Sequence, residues 1–377
     1  MKVIEFIKQS DGLFHGLQRL EQELGIKAKV YHDRNIFVLN YNQIESPKTD
    51  PIVRECRGLI LNFNLEVVAR PFDRFYNLGE ALNVMPVIDW AKAKVYEKVD
   101  GSLIKMYWDG QWEVATRGTA FAESECMGHG VTFRELVFKA LGVEDNHEFQ
   151  KLCSYSKLNP CVTYVFELTC FENRVVRAYS GYNMHFLGAR HFRGHYMSDH
   201  EREWLFKEEN IAADMIGNRI VDAKQFSFNS EDEAVGSAAV LKDLDEGYVV
   251  YQDGVPICKI KSPAYVAVHH IRGEGLNPKR MSELVISGEV DEYLTYFPQD
   301  REPLEPYIEA YDTLMVAMDN HYEGVKGIED QKEFAQAIKG CVYSGVLFGA
   351  RSKGISVIES FNQAKQCHKV SLLEKFL

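Results

Sequence analysis

Two kinds of hydrophobic spacing divide this chain. Up to about residue 261 it consists of short β-branched and aromatic runs: Arg57 to Asn62, Val67 to Phe72, Ser102 to Trp108, Gln111 to Thr116, Val162 to Leu168, Tyr248 to Gln252 and Val255 to Lys261. Runs of this kind, bounded by turn residues, predict strands. Asp109-Gly110 and Asp253-Gly254 each separate two such runs, and an Asp-Gly pair, whose glycine tolerates positive φ, predicts a hairpin at both places. After Asn277 the spacing turns helical. Leu304, Tyr307, Ile308, Tyr311, Leu314, Met315 and Met318 recur at helical intervals, as do Phe334, Ile338, Cys341, Val342 and Val346. The pattern predicts an α+β body over residues 1–265 and an all-helical domain over 266–377, with no repeat and no Pro- or Ser-rich linker between them.

The 377 residues suit two domains at about 150 residues each, and 46% hydrophobic residues fill ordinary cores. The net charge of −12 excludes bulk attraction to polyanions, so a nucleic acid would have to meet a local basic cleft. Charge is uneven in the helical part. Residues 283–333 carry 14 acidic and 3 basic side chains, whereas 339–377 carry 6 basic and 2 acidic. That basic end is either a solvated helix face or an RNA-facing patch. The opening Met-Lys-Val-Ile-Glu-Phe-Ile-Lys interrupts each apolar pair with a charge, so neither a secretion leader nor a membrane span is expected. Eight scattered cysteines without Cys-x-x-Cys fit reduced thiols and a cytoplasmic setting.

The common phosphate-binding signatures are missing. No G-x-x-x-x-G-K-[ST] occurs, and Gly273-Glu-Gly275 lacks a third glycine. What remains is Lys98-Val-Asp100-Gly101-Ser102 at the entry to a hairpin. It is accompanied by Glu167 in an apolar run, Glu246-Gly247-Tyr248 before a strand, and Lys259-Ile-Lys261 on the return strand. Strand alternation sends Lys259 and Lys261 to one face. A lysine attacks phosphorus only as the free amine, so the ammonium must be disfavoured by burial and neighbouring cations. Lys259, Lys261 and Arg117 are expected to supply that field, and Glu167 and Glu246 to hold a divalent ion or its waters.

In this order the motifs K-x-D-G, F-E, E-G-Y-V-V and K-I-K resemble those of the covalent nucleotidyltransferases, the superfamily of DNA ligases, RNA ligases and mRNA capping enzymes. Glu55-Cys-Arg57-Gly-Leu-Ile60, Ala69-Arg-Pro-Phe-Asp-Arg74-Phe-Tyr76-Asn-Leu78 and Asn173-Arg-Val-Val176 are similar to signatures of the phage RNA ligase 1 family, ATP-dependent enzymes that mend broken tRNA. The resemblance implies a nucleotidyltransferase fold of ATP-grasp-like antiparallel sheets, with residues 1–85 binding the ATP phosphates and the helical domain selecting RNA. It implies that Lys98 takes AMP from ATP, that AMP passes to an RNA 5′-phosphate, and that a 3′-hydroxyl then displaces it. Mg²⁺, with Mn²⁺ able to substitute, would be held through water by Glu246, Glu167 and Asp100, unless Glu167 holds the ribose instead. Lys259 and Lys261 would contact the α-phosphate, and Gly101 would allow close approach of the nucleotide. Arg57 and Arg74 would bind the β- and γ-phosphates. Tyr76, with Phe186 opposite, would enclose adenine.

Where the family commonly has Lys, this chain has Arg74 and Arg117, which keeps charge but changes bonding geometry. Asp291 and Glu292 are either a second-metal pair or a solvated helix start, and Tyr265 is either core or site. The expected partners are RNA with 5′-phosphate and 3′-hydroxyl ends, foremost tRNA, and a separate end-healing kinase or phosphatase. A membrane is not among them, and a monomer is expected. The alternatives are a DNA ligase, a capping-type enzyme, or a non-catalytic nucleotide- and RNA-binding module.

Overall fold

A computed structural model describes residues 1–43, 45–126, 129–156, 158–206, 220–272 and 276–377, apart from the side chains of 270–272 and 292. It divides into two compact units, Met1–Ala267 and Val268–Leu377.

The first unit is built on strands β1 (Ile26–Tyr31), β2 (Ile36–Tyr41), β3 (Arg57–Asn62), β4 (Val67–Ala69), β5 (Tyr76–Asn77), β6 (Lys94–Glu97), β7 (Ser102–Trp108), β8 (Trp112–Thr116), β9 (Val162–Thr169), β10 (Asn183–His191), β11 (Ile220–Asp222), β12 (Gln225–Phe226), β13 (Gly247–Gln252) and β14 (Val255–Lys261). They form three sheets, ordered β1-β2-β3-β4, β11-β10-β9-β7-β8 and β12-β6-β13-β14-β5. Only β10–β11 and β14–β5 pair in parallel; the other ladders are antiparallel. Both expected hairpins form. In the second, Asp253 and Gly254 both have positive φ, 53° and 74°, the geometry that matches the twist of the flanking strands.

Alternation explains the layers. In β2, Phe37 and Leu39 pack toward helices Lys2–Lys8 and Leu13–Leu24, while Ile36 and Val38 pack toward Tyr107 and Ala115 of the second sheet. In β9, Tyr164, Phe166 and Leu168 bury under helices Phe133–Leu141 and Asn146–Tyr155. In β13 and β14, Tyr248, Val250, Cys258 and Ile260 bury against Ala234 and Ala238 of helix Glu231–Ala239. The outer faces of the second and third sheets are thus covered by helices, and their inner faces are left to form a cleft. The chain crosses from β6 of the third sheet to β7 of the second through only four residues, 98–101.

Strand β4 ends at Ala69 rather than at Phe72, because Arg70 donates its N–H to Thr163 Oγ1 (2.9 Å) and Pro71 has none to give. Strands β1, β2, β5, β6, β10, β11 and β12 were not among the expected ones.

The second unit is helical, and none of its described residues belongs to a strand. Leu314 and Met318 of helix Arg301–Val325 pack with Phe334, Leu347, Phe361 and Leu373. The run Phe334 to Val346 is two helices, Gln331–Ala337 and Ser344–Lys353, interrupted at Gly340 with φ 84°. Among the described residues no helix is long and apolar enough to cross a membrane.

One polar side chain joins two sheets of the first unit. Lys105 of β7 is wholly buried and donates from Nζ to the Gly58 carbonyl of β3 (2.6 Å). Burial, with the charge of Arg57 beside it, pushes its amine down to about 7. Unfolded chains with an ordinary lysine near 10.4 bind more protons than the folded protein above pH 7, so this group adds stability as pH rises from 7 toward 10 and withdraws it as pH falls through 7. Lys105→Met should flatten the pH dependence of unfolding free energy between pH 7 and 9 by up to about 1.4 kcal/mol per pH unit. Urea titrations at the two pH values check this, and an unchanged slope would refute it.

Candidate active site

The crossing segment carries Lys98 into the cleft. Its N–H is fixed by the Gly247 carbonyl (2.8 Å), and its Nζ lies 2.6 Å from Glu246 Oε2. Lys261 Nζ reaches the other oxygen, Oε1, at 2.9 Å, and Glu246 is 5% exposed. This approach needs the glycine that follows: Gly247 has φ 134°, and a Cβ there would collide with the Ile260 carbonyl. Burial alone would raise the Glu246 carboxyl, but Lys98 and Lys261 outweigh it and hold it below the carboxylate range.

The protonation pattern differs from the sequence expectation. Burial disfavours the Lys98 ammonium, yet Glu246, Glu167 and Asp100 overcome it and keep the amine above its ordinary value. The lysine that is pushed down is Lys259, to about 7, by burial and the charges of Arg57, Lys98 and Lys261. The reason is placement: Lys261 shares the carboxylate that faces Lys98, so it does not act on Lys98 as an uncompensated cation. Glu167, paired in register with Leu103, is raised to about 7, chiefly by burial, with Lys98 opposing and Glu246 adding.

Arg57, Lys98, Glu167 and Lys259 line one cleft, whose apolar walls include Phe75, Leu187 and Tyr251. Its empty space, open mouth included, is about 600 Å³. Tyr76 and Phe186 do not line it. Tyr76 is buried with its hydroxyl on the Lys48 carbonyl (2.6 Å), and the ring that faces the cleft is Phe75, with Lys259 Nζ 4.6 Å from its centroid. Phe186 is wholly buried beside Phe166 and Phe206. A bulge between Phe186 and Gly188 turns Leu187 inward in its place. Arg202, from helix Asp199–Leu205, closes the back of the cleft. It donates to the Leu187 and Phe186 carbonyls (2.9 and 3.0 Å), pairs with Asp222, and lies 4.3 Å over the Tyr96 ring. No sequence signal marked Arg202 or Tyr251.

Two further arginines gather around Tyr41. Arg74 and Arg117 have their guanidinium carbons 4.3 and 4.5 Å from its ring centroid, and Arg117 Nε donates to Asn40 Oδ1 (2.9 Å). Nη1 of Arg57 and Nη1 of Arg74 are sealed from solvent with no hydrogen-bond partner. Burial pushes Arg117 down, helped by Arg57 and Arg74. Buried donors without acceptors among repelling cations suit an incoming polyanion. Tyr41 gave no signal in the sequence because it ends a strand that was not anticipated.

Asp100 faces protein rather than the cleft. Its Oδ2 accepts from the N–H groups of Val176 and Arg177 (2.8 and 2.7 Å), and its Oδ1 from the Tyr265 hydroxyl (2.6 Å). Gly101 is also accounted for by protein, since a Cβ there would strike the Leu168 carbonyl of β9. Among the described residues no three His, Cys, Asp or Glu side chains form a metal-holding group. Glu167 does fit a magnesium ion that keeps most of its waters, because a dication would relieve a carboxylate that burial and Glu246 disfavour, while Glu246 would have to exchange an ammonium partner to join it. Asp291 is exposed on helix Val290–Tyr296 of the second unit, and the side chain of Glu292 lies outside the described residues.

A model of the RNA ligase family matches residues 55–265. The span covers more than half of the chain and every cleft residue from Arg57 to Lys261, and the chain belongs to that family. A putative bifunctional polynucleotide kinase/RNA ligase of Autographa californica nuclear polyhedrosis virus is 38% identical over 311 residues, covering 79% of this chain but 42% of that protein. The chain therefore spans less than half the length of this relative. An RNA ligase of Rhodothermus phage RM378 is 24% identical over 328 residues, 73% of each. Among solved structures, a mutant of Naegleria gruberi RNA ligase with AMP and Mn aligns over 53% of this chain and 58% of that one, at 16% identity and a TM-score of 0.40.

Because Glu246 is the largest influence that favours the Lys98 ammonium, Glu246→Gln should lower the Lys98 pKa. NMR titration of the lysine ε-carbons reads this directly. A Lys98 pKa unchanged by the substitution would disprove the assignment.

Proposed function

We propose that this protein is an ATP-dependent RNA ligase that joins 5′-phosphate and 3′-hydroxyl ends through a lysyl-AMP and an RNA-adenylate. The observation that carries the proposal is Lys98 held between Glu246 and Glu167, opposite Lys259 and beside Arg57, in an aromatic-walled cleft inside the family span. In the first step the Lys98 amine attacks the α-phosphorus of ATP, a nitrogen–phosphorus bond forms, and pyrophosphate leaves. The amine proton has a nearby acceptor in Lys259, whose free base is available near neutral pH. Glu246 and Glu167 would hold a divalent ion, which would supply charge neutralisation at the phosphates. Burial of Lys98 itself disfavours its ammonium.

Lys259 and Lys261 stabilise charge on the phosphoryl oxygens as it develops, while Arg57 and Arg74, with Arg117 adding its charge beside them, receive the departing phosphates through donors that protein leaves unused. Phe75 and Tyr251 flank the base. AMP then passes to the RNA 5′-phosphate, and the 3′-hydroxyl displaces it. Asp100 positions the 176–177 backbone and Tyr265 rather than holding the ion. The helical unit, with its basic final segment, selects structured RNA such as a nicked tRNA. The 5′-phosphate end requires a prior kinase-type reaction, and the baculovirus relative is named for such a pairing.

Incubation with α-labelled ATP and a divalent ion should label the protein covalently with AMP in an acid-labile, alkali-stable bond. Lys98→Ala should lose the label by about a hundredfold or more while still joining RNA that already carries 5′-adenylate. Normal labelling of Lys98→Ala would end the proposal.

Lys259→Ala and Lys261→Ala should each slow both self-adenylylation and the sealing of preadenylated RNA, by about ten- to a hundredfold in kcat. A purely ground-state contact would raise only the KM for ATP. Wild-type sealing of preadenylated ends by both variants would remove their transition-state role.

A further inference from the structure

A second depression lies at the far end of β10 from the cleft, lined by Val162, Ala189, His191, Arg193, His195 and Tyr196. After His191 the chain makes a tight return, with His191 N–H on the His195 carbonyl (2.8 Å) and Gly194 N–H on the His191 carbonyl (2.7 Å). The turn therefore presents His191, Arg193 and His195 together. Arg70 packs beneath it. Gly194 has φ 108°, and a Cβ there would lie 2.6 Å from Arg70 Nη1, so the absent side chain is what makes room for the guanidinium.

The charges here do not balance. Every acid near Arg70 already serves another group. Asp73 holds Arg190 through both oxygens (2.7 and 3.0 Å), and Glu55 accepts from the N–H groups of Lys2 and Val3 (3.1 and 3.0 Å). Glu201, at the rim, caps its own helix through Ser198 N–H and Oγ (both 2.7 Å). Arg190 is saturated by Asp73 and by the Pro71 and Gly194 carbonyls. Arg70, in contrast, is half-buried, its Nε is sealed from solvent, and no hydrogen bond or ion pair with the described residues engages its guanidinium. Burial first, and then repulsion from Arg190, disfavour its charge. Arg193 is exposed, with the Phe192 ring at 5.5 Å as its neighbour. A desolvated cation without a partner is costly, and an anion brought to it recovers that cost.

The two depressions are built on the same two segments. The segment 70–75 sends Phe72 and Phe75 into the nucleotide cleft and Arg70 under the turn, while β10 sends Leu187 into the cleft and His191 to the turn. Four residues of strand span roughly 13 Å, a reach that the first few phosphates of an RNA end can cover. We propose that Arg70, Arg193 and the flanking histidines bind a backbone phosphate of the RNA near the end being joined. This rests on the RNA-joining reading above. The shared chemistry is a phosphate oxyanion, and its alternative source, the triphosphate of ATP, is separable by experiment.

The test measures binding of a 5′-phosphorylated single-stranded RNA to the full chain without ATP, by fluorescence anisotropy across a salt series. Arg193→Gln and Arg70→Gln are compared with wild type, and Lys8→Gln, an exposed residue of the first helix, serves as a control for general charge. Each arginine variant should weaken RNA binding about three- to tenfold and reduce the salt slope by about 0.7 for the lost contact. The rate of lysyl-AMP formation and the KM for ATP should stay at wild-type values. Arg193 is exposed, so its variant carries the test even if Arg70→Gln folds poorly. Unchanged RNA affinity and slope in Arg193→Gln, or losses equalled by Lys8→Gln, would overturn the site. A rise in the KM for ATP would assign it to the triphosphate instead. Wild-type protein that forms lysyl-AMP and seals RNA, beside an Arg193→Gln protein identical to it, would sink this inference while leaving the ligase reading intact.

Discussion

A single carboxylate, Glu246, holds the centre of the first unit together. It is almost wholly buried and bridges two ammonium groups from different elements, Lys98 on the crossing between two sheets and Lys261 at the end of β14. Removing three charged groups from water is expensive, and their mutual attraction offsets this only when the geometry is good. Here it is met by short contacts at both oxygens. One negative charge between two positive ones leaves an excess, which Arg57, Arg74, Arg117 and the partly protonated Lys259 enlarge. A protein of net charge −12 thereby contains a cleft of the opposite sign, and the field that a phosphorylated substrate meets is the local one.

Strand alternation converts that local field into an ordered surface. Along one face of β7, Leu103 meets the cleft, Lys105 reaches the Gly58 carbonyl next to Arg57, and Tyr107 packs toward the first sheet. The same strand therefore lines the nucleotide site and fixes the backbone of an arginine that opens into it. On β14 the apolar residues Cys258 and Ile260 anchor under a helix, and Lys259 and Lys261 project from the opposite side. Core packing on one side of each strand sets the position of charge on the other.

Much of this was legible in the sequence wherever a local rule dictates the outcome. The Asp253-Gly254 turn makes the β13–β14 hairpin legible, although the Gly247–Lys261 pair that brings Lys261 beside Glu246 also needs the bulge between Val250 and Tyr251, which shifts the register by one residue. Long-range features were not legible. Tyr76 belongs to a two-residue ladder, too short for alternation to say whether it or Phe75 faces inward. Phe186 is displaced by a bulge that no residue type announces. Arg202 arrives from a helix whose sequence reads as solvated, and it becomes part of the cleft only because Tyr96 and the Leu187 carbonyl await it. The direction of the Lys98 titration also turned on a distance, since a cation already shared with a carboxylate no longer repels its neighbour.

The split between Lys98 and Lys259 has a consequence for how the nucleophile would be found. Electrophiles that survey a proteome for reactive amines select the lysine with the largest fraction of free base. In the resting protein that residue in the cleft is Lys259, held near neutrality, while Lys98 stays protonated against Glu246. A reactivity survey of the nucleotide-free protein would therefore tag Lys259 and pass over Lys98, the lysine proposed above to take AMP. The amine that is quiet until its substrate arrives is also the one protected from stray acylation.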